Sequence, residues 1–219
     1  MKVSRLKIFG LLTCLLFTLL FTSEIHAQAE ENANFEAGIA AIEVNDMPTA
    51  YKSFLAAAKE GHIDSQFNVG VMYEQGIGVA KNDKEAVFWY RKAAAQGSSA
   101  AQYNLGVLYE NGRGTVVDFA KANDMYRKAS VQGDALAVGN LGMLYIRGDG
   151  VSVNKVAGIA LLLQSVAMDP SPQNNAKQNI TGTAGLTADM ITEARALSEK
   201  LSTAKNMLDP LDQYLKTSE

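Results

Sequence analysis

Apolar and small residues recur at helical spacing along most of the chain, and glycines interrupt the pattern at regular intervals. Ala101, Leu105, Leu108 and Tyr109 follow the i, i+4, i+7, i+8 positions of one helix face. A Gly-x-Gly loop then breaks the pattern, and a second helical pattern follows in "DFAKANDMYRKASVQG", with an Asp at its start and a Gly just past its end. The pattern predicts a unit of helix, loop and helix.

The same unit occurs three times at a fixed period. "SQFNVGVMYEQGIG" begins at residue 65, "AQYNLGVLYENGRG" at 101 and "AVGNLGMLYIRGDG" at 137, so both offsets are 36 residues without insertion or deletion. A fixed period of this length is typical of helical repeat proteins. The positions with the same residue in all three first helices include Gly70, Gly106 and Gly142, and Tyr73, Tyr109 and Tyr145.

The period divides most of the chain into repeats at 63–98, 99–134 and 135–169. Residues 35–62 are predicted to form a degenerate N-terminal repeat, whose first half is four residues short and lacks the Gly-x-Gly loop. We therefore expect an all-α fold, an α/α solenoid (superhelix) of about four helix-loop-helix repeats.

Residues 170–219 are predicted to form C-terminal capping helices and a tail. Met190, Ala194, Leu197 and Leu201 lie on one helical stripe, which is suited to covering the last open face of a repeat stack. Thr187 is the predicted N-cap of this helix, and Pro210 is its latest possible end.

The glycines at 70, 106 and 142 are predicted to be structural, as are the tyrosines at 73, 109 and 145. A glycine inside a helix costs about 0.5–1 kcal/mol relative to alanine, so its repetition requires a reason. The simplest reason is a closely crossing partner helix. The small pairs Ala93–Ala94 and Ala129–Ser130 are the expected matching surface.

These motifs resemble the Sel-one-like repeats, relatives of tetratricopeptide repeats. "YNLGVLYENGRG" and "KEAVFWYRKAAAQG" match the family pattern almost throughout, and the resemblance covers roughly residues 35–169. Ser130 and Thr115 depart from it, and the last repeat lacks the aromatic pair of the second helix. The resemblance implies an exported bacterial adaptor or scaffold protein.

The N-terminus has the pattern of a secretory signal peptide. Three basic residues precede an apolar run from about Ile8 to Phe21, and small residues follow at Ala27 and Ala29. We expect residues 1–27 to be removed and the protein to be periplasmic or secreted, which makes its contact with the membrane transient. A retained anchor helix and lipidation at Cys14 are less favoured alternatives.

Composition then excludes several classes of function. Removal of residues 1–27 takes away three basic residues and one acidic residue, leaving 17 Lys and Arg against 22 Asp and Glu, a formal charge of −5. This acidic balance argues against a nucleic-acid partner. The remaining chain has no cysteine, so its stability must come from packing and not from disulfides.

The inventory of reactive residues also predicts no catalytic, cofactor or metal site. His62 is the only histidine after residue 27, so a Cys/His nucleophile or a zinc site with several His or Cys ligands cannot be assembled. His62 follows Gly61 in a turn and is interpreted as a surface residue. The Gly-x-Gly loops lack the strand and the Gly-Lys-Ser/Thr of a phosphate loop.

The first helices are expected to line the concave side of the solenoid. The candidate partner-binding residues on this face are Asn68, Glu74, Asn104, Glu110 and Asn140. The asparagines either hydrogen-bond neighbouring helices, which is the favoured interpretation, or line the groove. Glu74 and Glu110 form a solvated or partner-facing stripe, or less plausibly an acid/base pair.

The predicted function is a non-enzymatic protein–protein interaction module whose partner is another protein. One alternative is a periplasmic immunity protein that neutralises a toxic secreted effector of the type VI-like kind, because an acidic binder suits a basic effector. A more distant alternative is a β-lactamase-like enzyme, as in cysteine-rich family members. This chain lacks their paired cysteines.

Overall fold

The computed structural model describes residues 33–218, and the predicted signal segment at 1–27 lies outside them. In the described residues all regular structure is helical and no β-strand occurs. The prediction of an all-α fold is confirmed. The helices in chain order are α1 (33–43), α2 (Met47–Glu60), α3 (Ile63–Gln75), α4 (Asp83–Ala95), α5 (Ser99–Asn111), α6 (Phe119–Ser130), α7 (Ala135–Arg147), α8 (Lys155–Met168), α9 (Ala176–Gly182), α10 (Ala188–Thr203) and α11 (Asp209–Thr217).

Repeated caps set the ends of these helices. Each second helix of a repeat begins after an Asp or Asn whose side chain accepts a backbone hydrogen bond from the first turn, which satisfies one of the free N–H groups there. The residues in this position are Asp46, Asn82, Asp118 and Asn154. First helices α3, α5 and α7 end at a left-handed glycine, at Gly76, Gly112 and Gly148.

The chain divides into two compact units, whose described parts are residues 33–81 and 82–218. In the first unit, α1 packs on α2, since a methyl group at Gly38 would lie 2.5 Å from Cε1 of Phe54. Helices α2 and α3 are joined by the Gln66 side chain, whose Nε2 donates to the Ala58 carbonyl at 3.1 Å. Residues 33–60 are thus a helix pair without the Gly-x-Gly loop.

In the second unit, each of the helices α4 to α8 packs on the next one along the chain. The largest fully buried side chains of this stack include Tyr90, Tyr126, Leu108, Leu141 and Leu162. Leu162 occupies the α8 position that holds the tyrosine in α4 and α6, so the core continues into the last repeat without an aromatic ring. Consecutive packing of helix pairs is the α/α solenoid fold that the sequence predicts.

Two of the repeated glycines, Gly106 and Gly142, lie against the neighbouring helix. A methyl group at Gly106 would lie 2.6 Å from Cε1 of the Tyr126 ring, and one at Gly142 would lie 2.8 Å from the Gly158 carbonyl oxygen. Such distances require the neighbour to move. The surface that faces the glycine therefore differs from the expected Ala-Ala or Ala-Ser pair, because an aromatic ring in one repeat and a helix backbone in the next fill the space.

The second glycine of each Gly-x-Gly loop makes a contact that the sequence analysis did not anticipate. Gly114 has φ +66, and a methyl group there would collide with the Asp83 carbonyl at the start of α4. Gly78 approaches Met47 at the start of α2 in the same way, and Gly150 approaches Phe119 at the start of α6. The loop thus docks backbone to backbone on the second helix of the preceding repeat.

The predicted capping helix is confirmed as α10, which packs on α8 and buries Ala194, Leu197 and Leu201. The Thr187 side chain accepts from the Met190 N–H at 3.2 Å, as expected of an N-cap. The helix ends at Thr203, before the limit that Pro210 sets. Pro210 lies in the first turn of a separate helix, α11, where proline is favoured because its missing N–H needs no partner.

Candidate functional site

Two candidate asparagines bind tyrosine hydroxyls of the preceding repeat. Asn104 Nδ2 donates to the Tyr90 hydroxyl at 3.3 Å, and Asn140 hydrogen-bonds the Tyr126 hydroxyl. Both tyrosines are fully buried, and a buried hydroxyl needs such a partner. These contacts support the interpretation that the asparagines join neighbouring helices. In the first unit, half-buried Asn68 has the equivalent position on α3, and the corresponding second-helix residue is Phe54, which has no hydroxyl.

Glu110 is held between two neighbouring helices. Its Oε2 accepts from the Tyr126 hydroxyl at 2.7 Å, and its Oε1 accepts from Arg147 Nη1 at 3.1 Å. Burial raises the pKa of Tyr126, and the negative charge of Glu110 raises it further. The carboxylate therefore links α5, α6 and α7. Glu74 is half-buried on α3 in the first unit, and its pairing with Glu110 stays a prediction.

The structurally important tyrosines are each approached by a polar side chain of the preceding second helix. Tyr73 shares a hydrogen bond of 2.6 Å with the Tyr51 hydroxyl. Arg91 Nε donates to the Tyr109 hydroxyl at 2.9 Å, and its Cζ lies 5.5 Å from the centre of that ring. The equivalent pair 36 residues later is Arg127 and Tyr145, which also share a hydrogen bond.

The C-terminal helix α11 docks on the Arg127 and Tyr145 pair. Arg127 Nη2 donates to both carboxylate oxygens of Asp212 at 2.6 Å. Burial by itself would lower the pKa of Arg127, but the hydrogen bond and charge of Asp212 raise it above its ordinary value. Burial raises the pKa of Tyr145, and the charge of Arg127 opposes that rise.

A cleft of about 270 Å³ lies beside this ion pair, between α11 and the loop of the last repeat. Its lining residues are Tyr145, Val151, Ser152, Val153, Asn154, Leu215 and Ser218. Leu215 follows Asp212 by three residues, so both side chains lie on one face of α11. The helix thus offers a carboxylate and an apolar side chain to the repeat.

Sequence reasoning did not single out the two arginines. Their signal was present, because the dipeptide Arg-Lys recurs at 91–92 and 127–128 with the same offset as the tyrosines. Asp212 carries no such signal, since it lies outside the repeats. Its role depends on where α11 packs.

The chemistry available in this part of the chain is hydrogen bonding, ion pairing and apolar contact. Across residues 33–218 no group of three His, Cys, Asp or Glu side chains is placed to hold a metal ion. His62 has a local role that was missed: its Nδ1 accepts from the Ser65 N–H at 3.2 Å, which caps α3. Over the same residues no helix has both the length and the apolar character needed to cross a bilayer.

Comparison with known proteins places these features in a family. A family model described as Sel1 repeat matches residues 63–98, 99–134 and 135–170. A protective antigen present in uropathogenic Escherichia coli strains, which displays an SLR fold, is 28% identical with a TM-score of 0.65, and the match covers 87% of this chain. The chain spans only 46% of the length of that antigen.

A second solved structure, a Sel1 repeat protein from Oxalobacter formigenes, is 27% identical with a TM-score of 0.60. This match covers 75% of the present chain and 69% of the other. A search of curated proteins found no match.

The three matched Sel1 repeats indicate a protein–protein interaction module. The repeated 36-residue unit, the consecutive packing of helix pairs and the similarity to two solved structures agree with one another. The chain belongs to the Sel1-like repeat family.

Proposed function

We propose that this protein is a non-enzymatic adaptor or scaffold of the bacterial periplasm or secretory pathway, which binds a partner protein on its repeats. The observation that carries the proposal is the run of three contiguous Sel1 repeats. Bonds such as Asn104 to Tyr90 and Glu110 to Tyr126 fix adjacent helices of this run. A prearranged surface loses little entropy when it binds a partner.

The proposed location rests on the N-terminal sequence. Lys2, Arg5 and Lys7 precede the apolar run, and small residues suited to cleavage follow it. The acidic charge of the remaining chain and its lack of cysteine are compatible with an exported binding protein that needs no disulfide.

The loops of the repeats are the favoured contact surface. Asn104, Glu110 and Asn140 are engaged within the repeats, so they are less available to a partner than the candidate assignment assumed. Apolar side chains nearby are open to solvent: Val116 is 76% exposed and Val117 is 53% exposed. Such residues provide apolar area that a partner can bury.

The proposal is tested by affinity capture from a periplasmic extract, with the chain lacking residues 1–27 as bait. Val116→Asp places a charge on the loop surface. Val44→Asp is the matched control, because Val44 is 75% exposed but lies outside the matched repeats. We expect the unmodified bait and the Val44→Asp bait to enrich the same protein, and the Val116→Asp bait to lose it.

Two results would count against this account in different ways. If no protein is enriched over an unrelated bait, the interaction module itself is wrong. If both valine variants retain the same protein, the chain is still an interaction module, but the proposal that its loops form the contact surface is wrong. The identity of the captured protein separates the roles: an envelope component indicates an adaptor, whereas a secreted toxin whose toxicity the chain relieves indicates an immunity protein.

A further inference from the structure

The repeat places two equivalent arginine–tyrosine sites in the second compact unit. The C-terminal Arg–Tyr site consists of Arg127, Tyr145 and Val153. The central Arg–Tyr site consists of their equivalents 36 residues earlier, Arg91, Tyr109 and Val117. In both sites the arginine comes from a second helix, the tyrosine from the next first helix, and the valine from the loop that follows it.

The C-terminal site shows which kind of ligand this arrangement accepts. Its occupant is α11, which directs Asp212 at Arg127 with oxygen distances of 2.6 Å and places Leu215 in the cleft beside Tyr145 and Val153. The required features are a carboxylate and an apolar side chain three residues later on one helix face. Arginine suits this role because its guanidinium is always charged and presents several donors.

The central site has the same elements but no such occupant in the described part of the chain. Arg91 is exposed, its Nε is held by Tyr109 at 2.9 Å, and no carboxylate of residues 33–218 forms an ion pair with it. The Lys121 ammonium lies 5.6 Å from the centre of the Tyr109 ring and is paired with Asp118 at 2.6 Å. The site therefore keeps the uncompensated positive charge of Arg91 next to an exposed valine.

We propose that the central Arg–Tyr site binds an amphipathic helix of a partner protein, which directs an Asp or Glu at Arg91 and an apolar side chain at Tyr109 and Val117. This inference rests on the proposed function and names the chemistry of the partner. The charge of the site complements a carboxylate. A polyanionic nucleic acid is disfavoured, because the chain as a whole is acidic.

The chain supplies its own probe for the central site. A synthetic peptide with the sequence of residues 207–218, MLDPLDQYLKTS, carries the carboxylate and the leucine of α11. The peptide is labelled with fluorescein, and its anisotropy is measured during titration with the unmodified chain, with Arg91→Gln and with Arg195→Gln. Arg195 is a matched control, since it is an exposed arginine on α10, far from the site in sequence.

We expect Arg91→Gln to weaken binding of the peptide about five- to tenfold, and Arg195→Gln to leave it unchanged. A peptide with Asp212→Asn should bind the unmodified chain about as weakly as the normal peptide binds Arg91→Gln. Circular dichroism melts verify that each variant is folded. Val117→Ser is a second variant that alters only the apolar part of the site and should also weaken binding.

Arg127→Gln is titrated in the same way. Three results would overturn the inference: no binding to the unmodified chain, equal binding to Arg91→Gln and the unmodified chain, or a loss of binding in Arg127→Gln that Arg91→Gln does not show. The last result would show that the peptide replaces α11 at the C-terminal site. Failure here is distinct from failure of the proposed function. If capture enriches a protein that Arg91→Gln retains, the interaction module stands and only the assignment of its ligand is wrong.

Discussion

At the scale of single residues, two buried serines show how the repeat treats polar groups. Ser130 and Ser165 are both fully buried. Ser165 donates to the Ala135 carbonyl at 2.6 Å and accepts from Asn174 Nδ2 at 3.0 Å. Among residues 33–218 the Ser130 hydroxyl has no hydrogen-bond partner, and it lies at a position where the family pattern has alanine. A buried hydroxyl is favourable only when it is paired.

Ser130→Ala should therefore stabilise the protein by about 1 kcal/mol, because it removes an unpaired hydroxyl without changing the packing. Ser165→Ala should destabilise it by about 1–3 kcal/mol, because it removes the hydrogen bonds of the hydroxyl to the Ala135 carbonyl and to Asn174. Thermal or urea unfolding of both variants measures the difference. A Ser130→Ala protein less stable than the parent would contradict the assignment of an unpaired hydroxyl.

Glycine is required for different reasons at Gly106 and Gly97: lack of space at the first and a left-handed backbone at the second. Gly106 is helical, and a methyl group there meets the buried Tyr126 ring at 2.6 Å. Gly97 has φ +95, and no atom of the described residues lies within 4 Å of a methyl group added there. Gly106→Ala should cost about 3 kcal/mol, since the ring cannot move freely. Gly97→Ala should cost only about 1 kcal/mol of backbone strain.

The melting temperatures of the two alanine variants test this ranking. Gly112 is a poorer control than Gly97, because it has φ +65 and a methyl group added there would also lie 2.8 Å from Cγ2 of Val117. If Gly97→Ala proves the more damaging substitution, the glycine of the first helix does not mark the crossing of the partner helix.

At the scale of secondary-structure elements, the helix pairs and the capping helix α10 could be predicted, but the docking of helix α11 could not. The 36-residue period, the caps and the terminal glycines are local signals, and they predicted the helix-loop-helix units. Helix α11 depends on distant contacts instead: Leu211 is fully buried and Asp212 binds Arg127, 85 residues away. Sequence reasoning used Pro210 only as the latest end of α10, which holds, and did not predict that this proline lies in the first turn of another helix.

For the candidate partner-binding residues, sequence reasoning was limited in a similar way. Equivalent asparagines and glutamates could be found by their offset, but their direction depends on tyrosine hydroxyls of the neighbouring helix. The arginine that binds α11 could have been noticed from the recurring Arg-Lys pair. Its ligand could not, because Asp212 has no repeated counterpart.

The docking of α11 gives a prediction at this scale. Asp212→Asn removes the ion pair with Arg127, whereas Asp209→Asn removes the same charge from the same helix turn without an ion pair in the described residues. Hydrogen exchange of the amides of α11 should become about three- to tenfold faster in Asp212→Asn than in Asp209→Asn. Exchange in α10 should be unchanged. Equal effects of both variants would show that the ion pair does not hold α11.

At the scale of the whole molecule, the repeat and the family resemblance established the class of protein, and the N-terminal sequence led to a proposal for its location. The protein isolated from a periplasmic fraction should begin at Gln28 or Glu30, because cleavage is expected after Ala27 or Ala29. Intact-mass spectrometry measures this directly. Recovery of the chain in the membrane fraction with residues 1–27 retained would contradict export by a cleaved signal.

The proposed function requires a surface on the repeats that binds a partner protein. The measurement that tests the central claim most directly is a calorimetric titration of the captured protein, once purified, with the chain lacking residues 1–27. The account predicts saturable binding with a Kd of about 10 μM or tighter, weakened about tenfold by Val116→Asp and unchanged by Val44→Asp. Absence of binding between the two purified proteins would contradict the claim that the repeats form a protein-binding surface.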